Sequence, residues 1–134
     1  MKGTCHCGQV GFELASELEE VYVCNCSDCK ILSGSSHHLL GIVERGAINI
    51  NLEELTRYQN KTESGHEMSR YFCPNCGTPI FVESTRFRDI QMVLVSTVDK
   101  PEVMTPSFEI WCKSKCGWQD DLCKIRRFER GALD

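Results

Sequence analysis

The chain has 134 residues, a length suited to one domain with a single core and short for two. Its 41% hydrophobic and 25% charged residues argue against a disordered chain. A formal charge of −4 and a pI near 5.6 lack the basic excess of a general nucleic-acid binder.

In chain order, Cys5-His6-Cys7-Gly8 comes first and leads into Val10-Gly11-Phe12-Glu13-Leu14, whose alternation predicts a half-buried strand. Val21-Tyr22-Val23 predicts a second strand, running into Cys24-Asn25-Cys26-Ser27-Asp28-Cys29. Ser33-Gly34-Ser35-Ser36 reads as a flexible turn, placed to form a lip over that second cysteine group. Leu39–Val43 is apolar enough for a buried strand, and Ala47–Ile50 alternates again. Leu52–Tyr58 suits either a helical turn or a strand end. Arg70-Tyr71-Phe72 and Thr78–Val82 flank Cys73-Pro74-Asn75-Cys76-Gly77, and Asp89–Val95 and Ser107–Cys112 are the clearest later strands. Long helical periodicity is missing. The expected architecture is mainly β with one or two helical turns, forming a single domain over residues 1–134 without repeats or linkers.

No apolar stretch approaches the ~20 residues that cross a bilayer, so no membrane association is expected. Met1-Lys2-Gly3-Thr4 runs straight into the first cysteine motif, and the expected location is cytoplasmic. Ten cysteines are then the anomaly, because cytosolic thiols are kept reduced and clustered ones there bind metal or do chemistry. Their spacing points to metal. Two thiolates at about 2.3 Å from one ion must sit close together on a tight turn.

Cys73-Pro74-Asn75-Cys76-Gly77 between two strands has the form of a zinc knuckle, its glycine taking the positive φ of the turn. A knuckle supplies two ligands, and Cys5 with Cys7 can supply the other two, closing a four-thiolate structural zinc site. The competing reading is a redox pair at Cys73 and Cys76, which would usually open a helix in a βαβ setting that this sequence lacks. Cys24, Cys26 and Cys29 offer three thiolates to a second zinc with no fourth cysteine at matching spacing, the layout of a catalytic site with one open position. Three thiolates leave such a unit at −1, so a soft thiolate from a substrate is its preferred fourth ligand. His37, His38, Cys112, Cys116 and Cys123 could instead close the site, making the chain a non-catalytic zinc-stabilised binding module with both ions structural. A redox or metal-buffering protein is the third reading. Cys112 is expected on the buried side of a strand with Phe108 and Ile110, and His6 is expected to point away from the first ion.

These motifs together, with Leu55-Thr56-Arg57-Tyr58 and Ile110-Trp111-Cys112-Lys113-Ser114-Lys115, resemble the glutathione-dependent formaldehyde-activating enzyme family, which includes the zinc domain of centromere protein V. Trp118, Asp120, Asp121, Leu122 and Phe128 resemble its closing segment. The resemblance implies a small zinc-stabilised β-tent fold with zinc knuckles. It implies a structural zinc on Cys5, Cys7, Cys73 and Cys76 and a catalytic zinc on Cys24, Cys26 and Cys29. The implied activity is of the carbon–sulfur lyase type, condensing formaldehyde with glutathione to S-hydroxymethylglutathione. The chain departs from the family pattern at Ile31-Leu32 and at Ser36-His37-His38, both at the mouth of the expected pocket.

Overall fold

The computed structural model describes residues 1–133. Ten strands and one short α-helix carry the fold, with 3-10 turns between them. Strands β1 (Lys2–Thr4), β2 (Gly11–Leu14) and β5 (Ile48–Asn49) form a small antiparallel sheet in the order β1-β2-β5. The large sheet takes β3 (Glu20–Cys24), β4 (His38–Glu44), β6 (Thr56–Lys61), β7 (Glu67–Phe72), β8 (Pro79–Ser84), β9 (Phe87–Leu94) and β10 (Phe108–Ile110). Its order is β10-β3-β4-β9-β8-β7-β6, antiparallel except for the β10–β3 pair. The fold is mainly β, as the alternating segments predict.

Alternation along these strands builds two cores on opposite faces of the large sheet. Val21, Val43, Phe81 and Val93 point to one face and pack with Phe12 and Leu14 of the small sheet. Tyr22, Leu40, Val82, Met92 and Leu94 point to the other, where Cys24 and Cys29 join them. Cys5 and Cys73 belong to the first core. The two cysteine groups thus pack with different cores. Aromatic pairs fix the register at two joints: Tyr71 stacks on Phe81 across β7–β8, and Tyr22 on Phe108 across β3–β10.

Three details differ from the sequence expectations. Leu52–Tyr58 divides, with Leu52–Glu54 a 3-10 turn and Thr56 onward a strand, so both alternatives hold for part of it. Ser33–Ser36 is the end of helix α1 (Ser27–Ser33) and the turn that caps it, not an independent loop. The strand over Ser107–Cys112 is shorter than expected. β10 stops at Ile110, and Trp111 takes a left-handed φ of 58° that turns the chain away from the sheet. As the edge strand it leaves Phe108, Ile110 and Cys112 exposed, so Cys112 is no buried core thiol.

Candidate metal centres

Two similar turns build the first cluster. Between β1 and β2, the amide of Cys5 donates to the Val10 carbonyl, the Val10 N–H donates to Cys5 Sγ at 3.2 Å, and Gly8 turns the chain at φ 80°. Between β7 and β8, Cys73 donates to the Thr78 carbonyl, Gly77 donates to that of Cys73, and Gly77 has φ 76°. The sulfur separations are 3.5 Å for Cys5–Cys7 and 3.8 Å for Cys7–Cys73, and all four sulfurs lie within 4.8 Å of one another. A tetrahedral site with Zn–S near 2.3 Å sets its sulfurs about 3.8 Å apart, so the four thiols fit a zinc ion. The second turn favours an anionic sulfur at Cys76 and pushes the Cys73 thiol up to about 11. A hydrogen bond with the Thr78 hydroxyl, then the backbone N–H of Thr78, hold the Cys76 thiol down to about 5. His6 is exposed, and its amide donates to Thr78 Oγ1.

Cys24 ends β3, Cys26 is the N-cap of α1, and Cys29 lies in the helix's first turn. The Cys29 amide donates to Cys26 Sγ at 3.3 Å, so the capping role usually filled by a serine or aspartate oxygen falls to a sulfur. The three sulfurs lie within 4.8 Å of one another. No further His, Cys, Asp or Glu among the described residues brings a ligand atom within that distance of all three. His37, His38, Cys112, Cys116 and Cys123 therefore stand outside the group. Charge concentrates on one sulfur of the trio. Hydrogen bonds from Cys24 and Cys29, the Cys29 amide and the Arg70 guanidinium hold the Cys26 thiol far below its usual range, while Cys24 and Cys29 are pushed up as its partners. Three packed thiols cannot all ionise without a cation. A divalent metal removes that conflict, which is the chemical sense in which the trio fits one.

Asn25, fully buried between two of these cysteines, anchors the site to the C-terminal segment. It donates from backbone and side chain to the Ile110 carbonyl, and its Oδ1 accepts from Gln119. Lys30, in the helix after Cys29, is held by a 2.6 Å bond to the Ser114 carbonyl.

A cavity of about 360 Å³ has Leu32 of α1 in its wall together with His38, Tyr58, Arg70 and Val82, and none of the three cysteines lines it. His38 is the cross-strand partner of Cys24 and is 5% exposed. Burial, and then the charge of Arg70, hold its pKa down to about 4, so the ring is neutral near pH 7. Arg70 is 7% exposed, and its Nε donates to Asn60 Oδ1 at 3.0 Å. Asn60 in turn donates to Asp28 Oδ2 in α1, linking Arg70 to the cysteine-bearing helix. Sequence reasoning singled out His38 as a spare ligand at the mouth of the expected pocket and missed Arg70 and Asn60. The available signal was the alternation in β7, which sets Arg70 between Met68 and Phe72 on one strand face.

The chain thus falls in a class of small β proteins with two cysteine clusters able to hold metal, of a chemistry consistent with zinc. The family model for glutathione-dependent formaldehyde-activating enzyme matches residues 1–114, and the chain belongs to that family. The match stops short of Trp118–Phe128, which resemble the family's closing segment in the sequence. A Penicillium rubens protein bearing that family's name is 30% identical over 111 residues, covering 78% of this chain and 56% of that protein. The chain therefore spans little more than half the length of this curated relative. A crystal structure of a Rhodobacter sphaeroides protein is similar with a TM-score of 0.60 and 26% identity, over 75% of this chain and 89% of that one.

Proposed function

We propose that the chain is an enzyme of the carbon–sulfur lyase type, a single zinc-binding domain that joins a thiol to a small aldehyde. Glutathione and formaldehyde are the pair the family name supplies, with S-hydroxymethylglutathione as product. One observation carries this reading: three cysteine sulfurs gather with no fourth protein ligand among the described residues, and His38, the partner of Cys24, lines a neighbouring cavity. Cys5, Cys7, Cys73 and Cys76 take the structural role, since all four sulfurs converge and tie the small sheet to the large one. Zinc bound by Cys24, Cys26 and Cys29 would supply a Lewis-acid position at which a substrate thiol is held as its reactive thiolate.

The chain's own residues do the rest. The α1 cap and the β3 end hold Cys26 and Cys24 in place, and the Asp28–Asn60–Arg70 chain of contacts fixes the helix against the sheet edge. Phe72, Pro79 and Val82 give the cavity an apolar wall. A reducing compartment such as the cytoplasm keeps all seven thiols available for metal.

Exchange spectroscopy with formaldehyde and glutathione tests the proposal. The zinc-loaded chain is expected to exchange free and adduct signals faster than buffer does, and Cys26→Ser is expected to return the rate to that of buffer. Equal rates for wild type, Cys26→Ser and buffer would contradict it.

A further inference from the structure

The cavity beside the second cluster is mostly apolar, which makes its two buried polar groups conspicuous. Both ring nitrogens of His38 are buried with no hydrogen-bond partner. A buried polar group left unpaired is costly, so a wall that keeps one has a use for it when the cavity is filled. Arg70 is equally buried, and no carboxylate among the described residues forms an ion pair with it. Its one hydrogen bond uses Nε, toward Asn60, and this leaves the two terminal nitrogens for another acceptor. Both residues line the same cavity. His38 is also the register partner of Cys24, so the pair borders the cysteine cluster.

We propose that His38 and Arg70 form an oxygen-binding pair that holds the carbonyl oxygen of the aldehyde while the thiol sulfur adds to its carbon. The assignment rests on the function proposed above. In the addition, a sulfur lone pair forms the S–C bond and the carbonyl π pair moves onto oxygen. The resulting alkoxide takes a proton from water, and the proton first lost by the thiol passes to solvent. Negative charge grows on oxygen alone, where a neutral imidazole N–H and a guanidinium N–H donate to it. Neither group changes its protonation state. Arg70 brings a fixed charge, and Asn60 sets its plane from the same network that holds α1.

The test uses the full zinc-loaded chain, with glutathione alone and glutathione plus formaldehyde as probes. His38→Phe and Arg70→Gln are expected to slow adduct exchange by about 10²–10³-fold, as loss of an oxyanion donor does. In His38→Phe, affinity for glutathione alone, which carries no aldehyde oxygen, is expected to change by less than about threefold. His38→Gln keeps an N–H donor and is expected to recover about tenfold of the loss. In the wild-type chain labelled with ¹⁵N-histidine, the His38 ring signals are expected to move when formaldehyde joins glutathione and to stay in place with glutathione alone. That readout needs no variant and survives a variant that fails to fold. Wild-type rates in His38→Phe and Arg70→Gln, equal losses in glutathione affinity and exchange, or ring signals indifferent to formaldehyde would each overturn the assignment alone. A wild-type rate no faster than buffer would overturn the assignment together with the function it rests on.

Discussion

Cys26 receives the Cys29 amide, the neighbouring thiols and the field of Arg70 at a single sulfur. Cys26→Ser therefore removes the sulfur on which the trio's charge is centred. Metal analysis of the purified variant is expected to show loss of the metal of one cluster, with the β-sheet signal in circular dichroism kept. A pH effect attaches to His38. Its folded pKa of about 4 lies below the ordinary 6.5, so between those values the unfolded chain binds the proton first. Stability then rises with pH through that window and falls on acidifying through it. Between pH 7.5 and pH 5, wild type is expected to lose on the order of 1–2 kcal/mol more than His38→Gln in denaturant titrations. At this scale the seven clustered cysteines were legible in the sequence, because ligand spacing is local. Arg70 and Asn60 were not, since their closeness to Cys26 depends on which strands pair and in which register.

The two turns of the first cluster show how far local signals reach. Gly77 follows Cys76 and takes φ 76°, the conformation that the Cys-x-x-Cys-Gly pattern predicts. Gly77→Ala is expected to cost about 1–2 kcal/mol, read as a lower unfolding midpoint, because an L side chain is strained there. Open space surrounds that position, so no clash adds to the strain. Helix α1 escaped the sequence reading for a physical reason. It is seven residues long, too short to show periodicity, and its cap is a cysteine rather than one of the usual capping residues. The end of β10 escaped it too, because an apolar run does not announce an edge position or the left-handed turn at Trp111. Asn25 ties that end to the cluster. Asn25→Ala removes the side-chain bonds to the Ile110 carbonyl and Gln119 from a fully buried position and is expected to lower stability by about 1–3 kcal/mol in thermal unfolding.

Across the whole molecule, side-chain alternation in the large sheet separates two cores, and each thiol cluster packs with a different one. The first cluster draws on both sheets, so its metal would hold together parts that the small core alone ties weakly. Chelator added in steps is expected to act in two stages. Metal leaves the three-cysteine cluster first with the fold kept, and loss from the four-cysteine cluster then coincides with collapse of the near-ultraviolet signal. The mainly β class and the family were readable in advance because cysteine spacing and strand alternation agree. The packing of the clusters with different cores was not, because it depends on which turns and strands meet in the finished fold. The account turns on whether Cys24, Cys26 and Cys29 leave a metal one position for a thiol. Cobalt-substituted protein titrated with glutathione answers this most directly. A stronger thiolate-to-cobalt charge-transfer band that saturates with glutathione in wild type, and is lost in Cys26→Ser, is the predicted result. A wild-type spectrum unmoved by glutathione would contradict the account and leave both clusters as closed structural sites.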